Sequence, residues 1–161
     1  PTMDIDDTDR RIVNALLGNG RASARDIAAE TGVAATTVSK RLATLEEDDV
    51  IEGYIPTVDY DALGYDVTAV FHLSVEGTGL GPVVDRLRDH EHMIGVYEVT
   101  GDHDIVAIGK FTTTEEMNRK IKDLLTDADV RAANTSVVLD TVREYGQFPV
   151  GVEDEDDEDA E

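Results

Sequence analysis

The chain of 161 residues carries 36 acidic against 14 basic side chains, a formal net charge of −22 that argues at first sight against a nucleic-acid partner. Cysteine is absent, which excludes disulfides and thiolate metal sites, and no apolar run approaches the roughly 18 residues that span a bilayer. Three Phe, five Tyr and no Trp leave the packing to aliphatic side chains, in one large domain or in two small ones of modest intrinsic stability.

The charge is unevenly placed. Residues 1–52 hold six basic and eleven acidic residues, residues 53–152 hold eight and seventeen, and residues 153–161 hold eight acidic residues and no basic one. Within 21–45 the balance reverses, with Arg21, Arg25, Lys40 and Arg41 against Asp26 and Glu30. The acidic excess is rich in Asp, and there are only four lysines. One reading is a soluble acidic protein with an unstructured tail. The sharper reading is a halophilic source, where a Debye length of about 3 Å in molar salt screens self-repulsion. His90 and His92 are the only histidines close in sequence and lack a third ligand, so no metal is expected. The acidic N-terminus has no signal-peptide core, and a cytoplasmic location is expected.

The first 53 residues read as three short helices. Asp7 or Thr8 is placed to cap the first, over Thr8–Leu17, with Ile12, Ala15 and Leu16 on one face; Gly18-Asn19-Gly20 stops it. Ser23-Ala24-Arg25-Asp26 has capping-box spacing and opens the second helix, which Thr31-Gly32 ends. The third runs from Ala35 to Glu47 with Val38, Leu42 and Leu45 inward. Two helices joined by a tight glycine-containing turn form a helix-turn-helix pattern. Val50–Ile55 then has strand composition, and residues 54–66 are expected to link two domains.

Val67–Val75 alternates apolar and polar residues as a strand does. Pro82 suits the first turn of a helix reaching about His90. Ile94–Thr100 and Ile105–Phe111 read as strands around the Gly101–Asp104 turn, Thr114–Leu125 as a helix with Met117, Ile121, Leu124 and Leu125 on one side, and Val137–Val142 as the last strand. The order is β-α-β-β-α-β, so the fold class is α+β, with a ferredoxin-like domain over 67–146 behind the helix-turn-helix. One sheet face takes the helices, and the other is apolar enough to require a partner, most economically a second copy. Residues 147–161 are expected to form an acidic tail.

With Val38, Leu42 and Leu45 inward, Thr36, Ser39, Lys40 and Ala43 face outward, and Thr37, Arg41 and Thr44 lie along one flank. Small hydroxyls beside two cations suit a helix in a major groove, where Thr contacts bases or phosphates and Lys or Arg neutralises phosphate. Arg21 and Arg25 are placed to touch the DNA backbone. An ordinary exposed helix face is the bland alternative, and the clustering of four cations on so acidic a chain weighs against it.

Ile5-Asp6-x-x-Asp9-Arg10-Arg11-Ile12, Gly20-Arg21-Ala22-Ser23-x-x-Asp26-Ile27-Ala28, Thr37-Val38-x-x-Arg41-Leu42-x-x-Leu45-Glu46, Val50-Ile51-x-Gly53-Tyr54 and Leu63-Gly64 follow in order. Together they resemble the Lrp/AsnC, or feast/famine, family of transcription regulators over about residues 4–145. The resemblance implies a winged helix-turn-helix, a RAM-type βαββαβ domain, double-stranded DNA as partner, and homodimers that often build octamers. Two positions depart from the family pattern. Ala34 stands where a Ser usually begins the recognition helix, and Asp48-Asp49 replaces the usual x-Gly.

Gly101-x-x-Asp104 matches the family's effector-linked turn. The resemblance assigns Gly101, Asp102, His103 and Asp104 to a small effector such as an amino acid, with Thr135 and Ser136 supplying hydroxyls from a neighbouring subunit. From the residues alone, a plain hairpin turn and plain strand-start residues explain these positions as well. No cofactor and no membrane partner are expected. Three further functions stay open: a sensing and assembly module without DNA binding, a low-specificity DNA organiser, and an enzyme subunit, since sirohaem decarboxylase subunits resemble the same family.

Overall fold

The computed structural model describes residues 4–126 and 129–152. Residues 4–57 together with 145–152 form one unit, and residues 58–144 form another.

Three helices build the first unit: α1 (Asp7–Gly18), α2 (Ala24–Thr31) and α3 (Ala35–Glu47). The cap of α1 lies one residue earlier than expected. Asp6 accepts from the Asp9 backbone N–H at 2.9 Å, and Asp9 accepts from that of Asp6 at 3.0 Å, a reciprocal box that neither Asp7 nor Thr8 makes. Ser23 caps α2 as its spacing predicts; hydrogen bonds from the Ser23 side chain and backbone lower the pKa of the Asp26 carboxyl. Gly32, at φ +74°, takes the left-handed conformation that turns the chain from α2 towards α3. Ala34 leaves the start of α3 without a side-chain cap, the consequence expected of an apolar residue there. Ile12, Ala15, Ile27, Val38 and Leu45 are the buried core of this unit, with Leu42 and Ile51 packed on its margin.

The end of α3 explains one of the unusual positions. Asp49 has φ +56°, its N–H bonds the Glu46 carbonyl at 3.3 Å, and the Val50 N–H bonds the Leu45 carbonyl at 2.9 Å. This is the Schellman closure, whose left-handed position favours glycine because a Cβ is strained there. Aspartate is among the residues that tolerate it best.

In the second unit β1 (Val67–Val75), α4 (Leu80–Arg88), β2 (Met93–Glu98), β3 (Ile105–Phe111), α5 (Thr114–Leu125) and β4 (Val130–Val137) follow in order. The strands form one antiparallel sheet in the order β2-β3-β1-β4, the ferredoxin-like arrangement expected. Alternate residues of β1 and β3 (Ala69, Phe71, Leu73, Ile105, Ala107, Phe111) join Val83 and Leu87 of α4 and Met117 and Ile121 of α5 in the core. The side chains of Leu124 and Leu125, expected on the same side of α5, lie outside the described residues.

Two expected strands differ. Among the described residues, Val50–Ile55 has no ladder partner. The last strand is Val130–Val137, not Val137–Val142. Its register against β1 pairs Ala133 with Leu73 and Ala69 with Val137, and one further bond runs from the Val138 N–H to the Thr68 carbonyl. The more apolar run beyond it leaves the sheet with Leu139 fully exposed and Val142 93% exposed.

The sheet face away from the helices carries half-buried Val70, His72, Val106 and Ile108, with Tyr97 exposed opposite Val106. Lys110 lies on the same face, only 6% exposed, its Nζ donating to Thr68 Oγ1 at 3.1 Å and 3.0 Å from Glu144 Oε2. The Tyr60 ring lies 5.8 Å from that ammonium, so the buried charge is paired on several sides.

Candidate functional site

The helix-turn-helix places its chemistry on α3. Thr36, Thr37, Ser39 and Lys40 are exposed together on the outer side, while Val38 and Leu45 point inward. Three small hydroxyl side chains thus surround the Lys40 ammonium on that side. Thr44 is half-buried, and its hydroxyl donates to the Lys40 carbonyl at 3.1 Å, one turn back. Arg21 and Arg25 are exposed, Arg21 in the connection before α2 and Arg25 in its first turn.

Arg41 is used differently from its neighbours. Its Nε donates to Asp9 Oδ1 at 2.6 Å, its NH2 pairs with Asp9 Oδ2, and the same NH2 lies 3.4 Å from Asp6 Oδ2. Asp9 is fully buried, so the fork fastens α3 to the start of α1. Burial pushes the Asp9 carboxyl up, but hydrogen bonds from Arg41 and Asp6 and the Arg41 charge outweigh it, leaving its pKa below the ordinary value. Hydrogen bonding to Asp9 raises the pKa of Arg41 in turn. Arg41 therefore orients the helix that carries Lys40, rather than standing free on its outer face. The sequence holds a signal for this: Ile5, Asp9 and Ile12 share i, i+4, i+7 spacing, which puts a carboxylate on an inward stripe.

Asn14 and Arg10, one turn apart on α1, also escaped the sequence reading. The Asn14 side chain donates to the Val150 carbonyl at 3.0 Å and accepts from the Val150 N–H at 2.8 Å; Arg10 donates to the Gly151 carbonyl at 3.0 Å. Part of the segment expected as a free tail, 147–161, is thus held on α1; residues 153–161 lie outside the described residues.

In the second unit the β2–β3 turn is closed by a bond from the Val99 N–H to the Asp104 carbonyl at 3.0 Å and is fastened to the end of β1. Gly101 has φ +114°, a conformation that requires glycine. The Asp104 carboxylate accepts from the Val75 N–H at 2.9 Å, and its backbone N–H donates to the Leu73 carbonyl at 2.9 Å. Ser74 Oγ lies 3.4 Å from both the Asp102 carbonyl and His103 Nδ1, and the His103 ring is 5.3 Å from that of His72. Asp104 is thereby a fastener of the turn, while Gly101 and Asp102 remain exposed. Thr135 and Ser136 stand near the end of β4, opposite Phe71 and Val70, with β1 between them and the turn. One chain does not bring these two residues to Gly101–Asp104. A cleft of about 530 Å³ runs between α4 and β2, with Arg88 and Glu98 among walls of Val84, Met93, Ile94, Gly95 and Val96. None of those residues stands out in the sequence, since they belong to separate elements.

A helix-turn-helix joined to a ferredoxin-like domain with a shaped cleft defines a class: DNA-binding regulators with a ligand-binding half. Comparison with known proteins narrows it. Residues 5–52 match the winged helix-turn-helix DNA-binding family, and residues 68–148 match the Lrp/AsnC ligand binding domain. An uncharacterized HTH-type transcriptional regulator of Pyrococcus furiosus is 37% identical over 142 residues, 88% of this chain and 96% of its own. The HTH-type transcriptional regulator FL11 of Pyrococcus abyssi is 32% identical over 148 residues, 92% of this chain and 98% of its own. Among solved structures, the feast or famine regulatory protein of M. tuberculosis complexed with L-methionine superposes with TM-score 0.84 at 24% identity, covering 91% of this chain and all of that one. The chain belongs to the Lrp/AsnC family of transcription regulators.

Proposed function

We propose that the protein binds double-stranded DNA as a homodimer or larger assembly and adjusts that binding to an amino acid. The observation that carries the DNA half is the outer side of α3, where Thr36, Thr37, Ser39 and Lys40 stand exposed while Arg41 and Asp9 hold the helix in place. Lys40 and the two exposed arginines, Arg21 and Arg25, neutralise phosphate; the hydroxyls of Thr36, Thr37 and Ser39 reach base edges or phosphate. Thr44 and Arg41 support the helix rather than touch the duplex.

The amino-acid reading rests on the ligand-binding domain and on a cleft whose chemistry suits a zwitterion. Arg88 offers a cation for a carboxylate, Glu98 an anion for an ammonium, and Val84, Met93 and Val96 an apolar wall. Glu98 ends β2 three residues before Gly101, and we assign the exposed Gly101 and Asp102 to the same effector, with Thr135 and Ser136 supplied by another subunit. The M. tuberculosis neighbour was solved with L-methionine, which supports the same class of ligand.

Assembly follows from apolar surface that a single chain leaves open. The free sheet face carries Val70, Val106, Ile108 and Tyr97, while Ile55 is 89% exposed and Leu139 fully so. A second copy placing its sheet on this face removes that surface from water and offers strand partners to Val50–Ile55 and to the run from Leu139 to Val142. The retained cationic helix favours a regulator over an enzyme, in a cytoplasmic setting. Genome-wide mapping of its binding sites with and without added amino acids tests the whole reading. Discrete sites whose occupancy changes with one amino acid support it; uniform coverage or none refutes it.

A further inference from the structure

The chain has four asparagines, and one of them, Asn19, is followed by glycine. Asn19 and Gly20 are both exposed in the connection after α1, directly ahead of the exposed Arg21. The Asn19 side chain folds back over this connection, its Oδ1 accepting from the Arg21 backbone N–H at 3.1 Å. Among the described residues neither the Asn19 NH2 group nor the Gly20 N–H has a hydrogen-bond partner, so both nitrogens stand open to solvent. The backbone does not require glycine at position 20. Its φ lies outside the left-handed region, and an added Cβ would meet only the Leu16 carbonyl oxygen, at an ordinary 3.9 Å. What Gly20 supplies is a backbone nitrogen with no Cβ beside it.

We propose that Asn19 is a site of self-catalysed deamidation, which turns a neutral amide beside Arg21 into a carboxylate. The Gly20 nitrogen gives its proton to solvent base and bonds to Asn19 Cγ. The Cγ–Nδ2 bond then breaks and ammonia leaves with a proton from water, so that a five-membered succinimide remains. Water opens this ring at the side-chain carbonyl to give aspartate, or at the main-chain carbonyl to give isoaspartate. No electrons are exchanged, and water is the only co-reactant. At ψ 96° the Gly20 nitrogen points away from Asn19 Cβ, so attack requires a turn about the Asn19 Cα–C bond. That turn opens exposed hydrogen bonds, the Oδ1 contact with Arg21 and the 3.0 Å bond from the Ala22 N–H to the Asn19 carbonyl. Opening a solvated connection is a local event that leaves the core intact. The three other asparagines are held in α1, α5 and β4, where the same turn would break a helix or a ladder. In the aspartyl product the Arg21 N–H donates to a charged oxygen, which keeps the new carboxylate beside this arginine. The effect on DNA rests on the phosphate-binding reading of Arg21: a carboxylate there repels the phosphate that Arg21 would hold.

The test holds the native full-length chain in mildly alkaline molar salt made with heavy-oxygen water, and follows each asparagine by peptide mass spectrometry. Label should enter at Asn19 about tenfold faster than at Asn14, Asn118 or Asn134, as paired aspartyl and isoaspartyl peptides, and Gly20→Ala should slow it by a similar factor because its Cβ hinders the nitrogen. Labelling of Asn19 no faster than of the other three, or an unchanged rate in Gly20→Ala, overturns the proposal. DNA affinity is measured separately on Asn19→Asp, which should bind about fivefold more weakly in 0.1 M salt, as expected for one charge at contact distance in water. Arg21→Ala should erase that difference, which a general loss of stability would not do. Equal affinity of Asn19→Asp and the native chain overturns the effect on DNA. Failure of every variant, and of the native chain, to bind DNA refutes the phosphate-binding reading and this effect together, while the conversion stands or falls on its mass spectra alone.

Discussion

At the scale of single residues, Asp9 and Asp49 show how this acidic chain places carboxylates where geometry costs something. Asp9 is fully buried and survives there because Arg41 and the Asp6 backbone satisfy it. Replacing it with Ala leaves the guanidinium without its partner and should cost about 2–4 kcal/mol in denaturant unfolding, at the lower side of buried pairs because Arg41 keeps some solvent contact. The pH dependence has a definite sign. The Asp9 pKa is depressed in the folded state, so the pair's stabilisation is present above the unfolded carboxylate value of about 3.9 and is lost as pH falls below about 4. An acid titration of stability should show this loss in the native chain and a smaller one in Asp9→Asn. Asp49 is the converse case, a carboxylate in a left-handed position made for glycine. Asp49→Gly should raise stability by about 1 kcal/mol, and no gain would mean the Schellman closure carries no strain.

At the scale of elements, propensity and tertiary context divide the chain into parts that announce themselves and parts that do not. The spans of α3, β1, β3 and α5 follow from periodicity and capping residues alone, as does the order of the ferredoxin-like domain. The misplaced last strand has a physical cause. Arg131-Ala132-Ala133-Asn134 lacks β-branched residues, and β4 is an edge strand held by its ladder to β1, whereas Leu139–Val142 continues the strand-like composition beyond the end of that ladder. Composition records what a segment needs, and here the need points outside the chain. The same limit applies to the site. The outer residues of α3 are legible from its inward stripe, but the diversion of Arg41 to Asp9, the clasp of Asn14 on Val150 and the cleft between α4 and β2 depend on contacts distant in sequence. The uncapped start of α3 offers a test at this scale: Ala34→Ser should stabilise the chain by about 1 kcal/mol through a hydroxyl bond to the second or third helical N–H. A thermal-melt series that shows no rise would indicate that this turn is already satisfied otherwise.

At the scale of the whole molecule, a charge of −22 and a DNA-binding function conflict in dilute salt and are reconciled in concentrated salt. A composition with so few lysines and so many aspartates fits a halophilic source, and assembly should then weaken on dialysis into low salt. Sedimentation provides the measurement, with Ile108→Asp expected to give monomers at every salt because it charges the middle of the free sheet face. The most direct test of the central claim is DNA affinity as a function of salt, measured by fluorescence anisotropy on a genomic binding site, for the native chain and for Lys40→Ala. The account predicts saturable binding that persists near molar salt, with Lys40→Ala weaker and its log–log salt slope shallower by about one phosphate contact. Equal affinity and equal slope for the two proteins would contradict it, because the exposed side of α3 would then play no part in holding DNA.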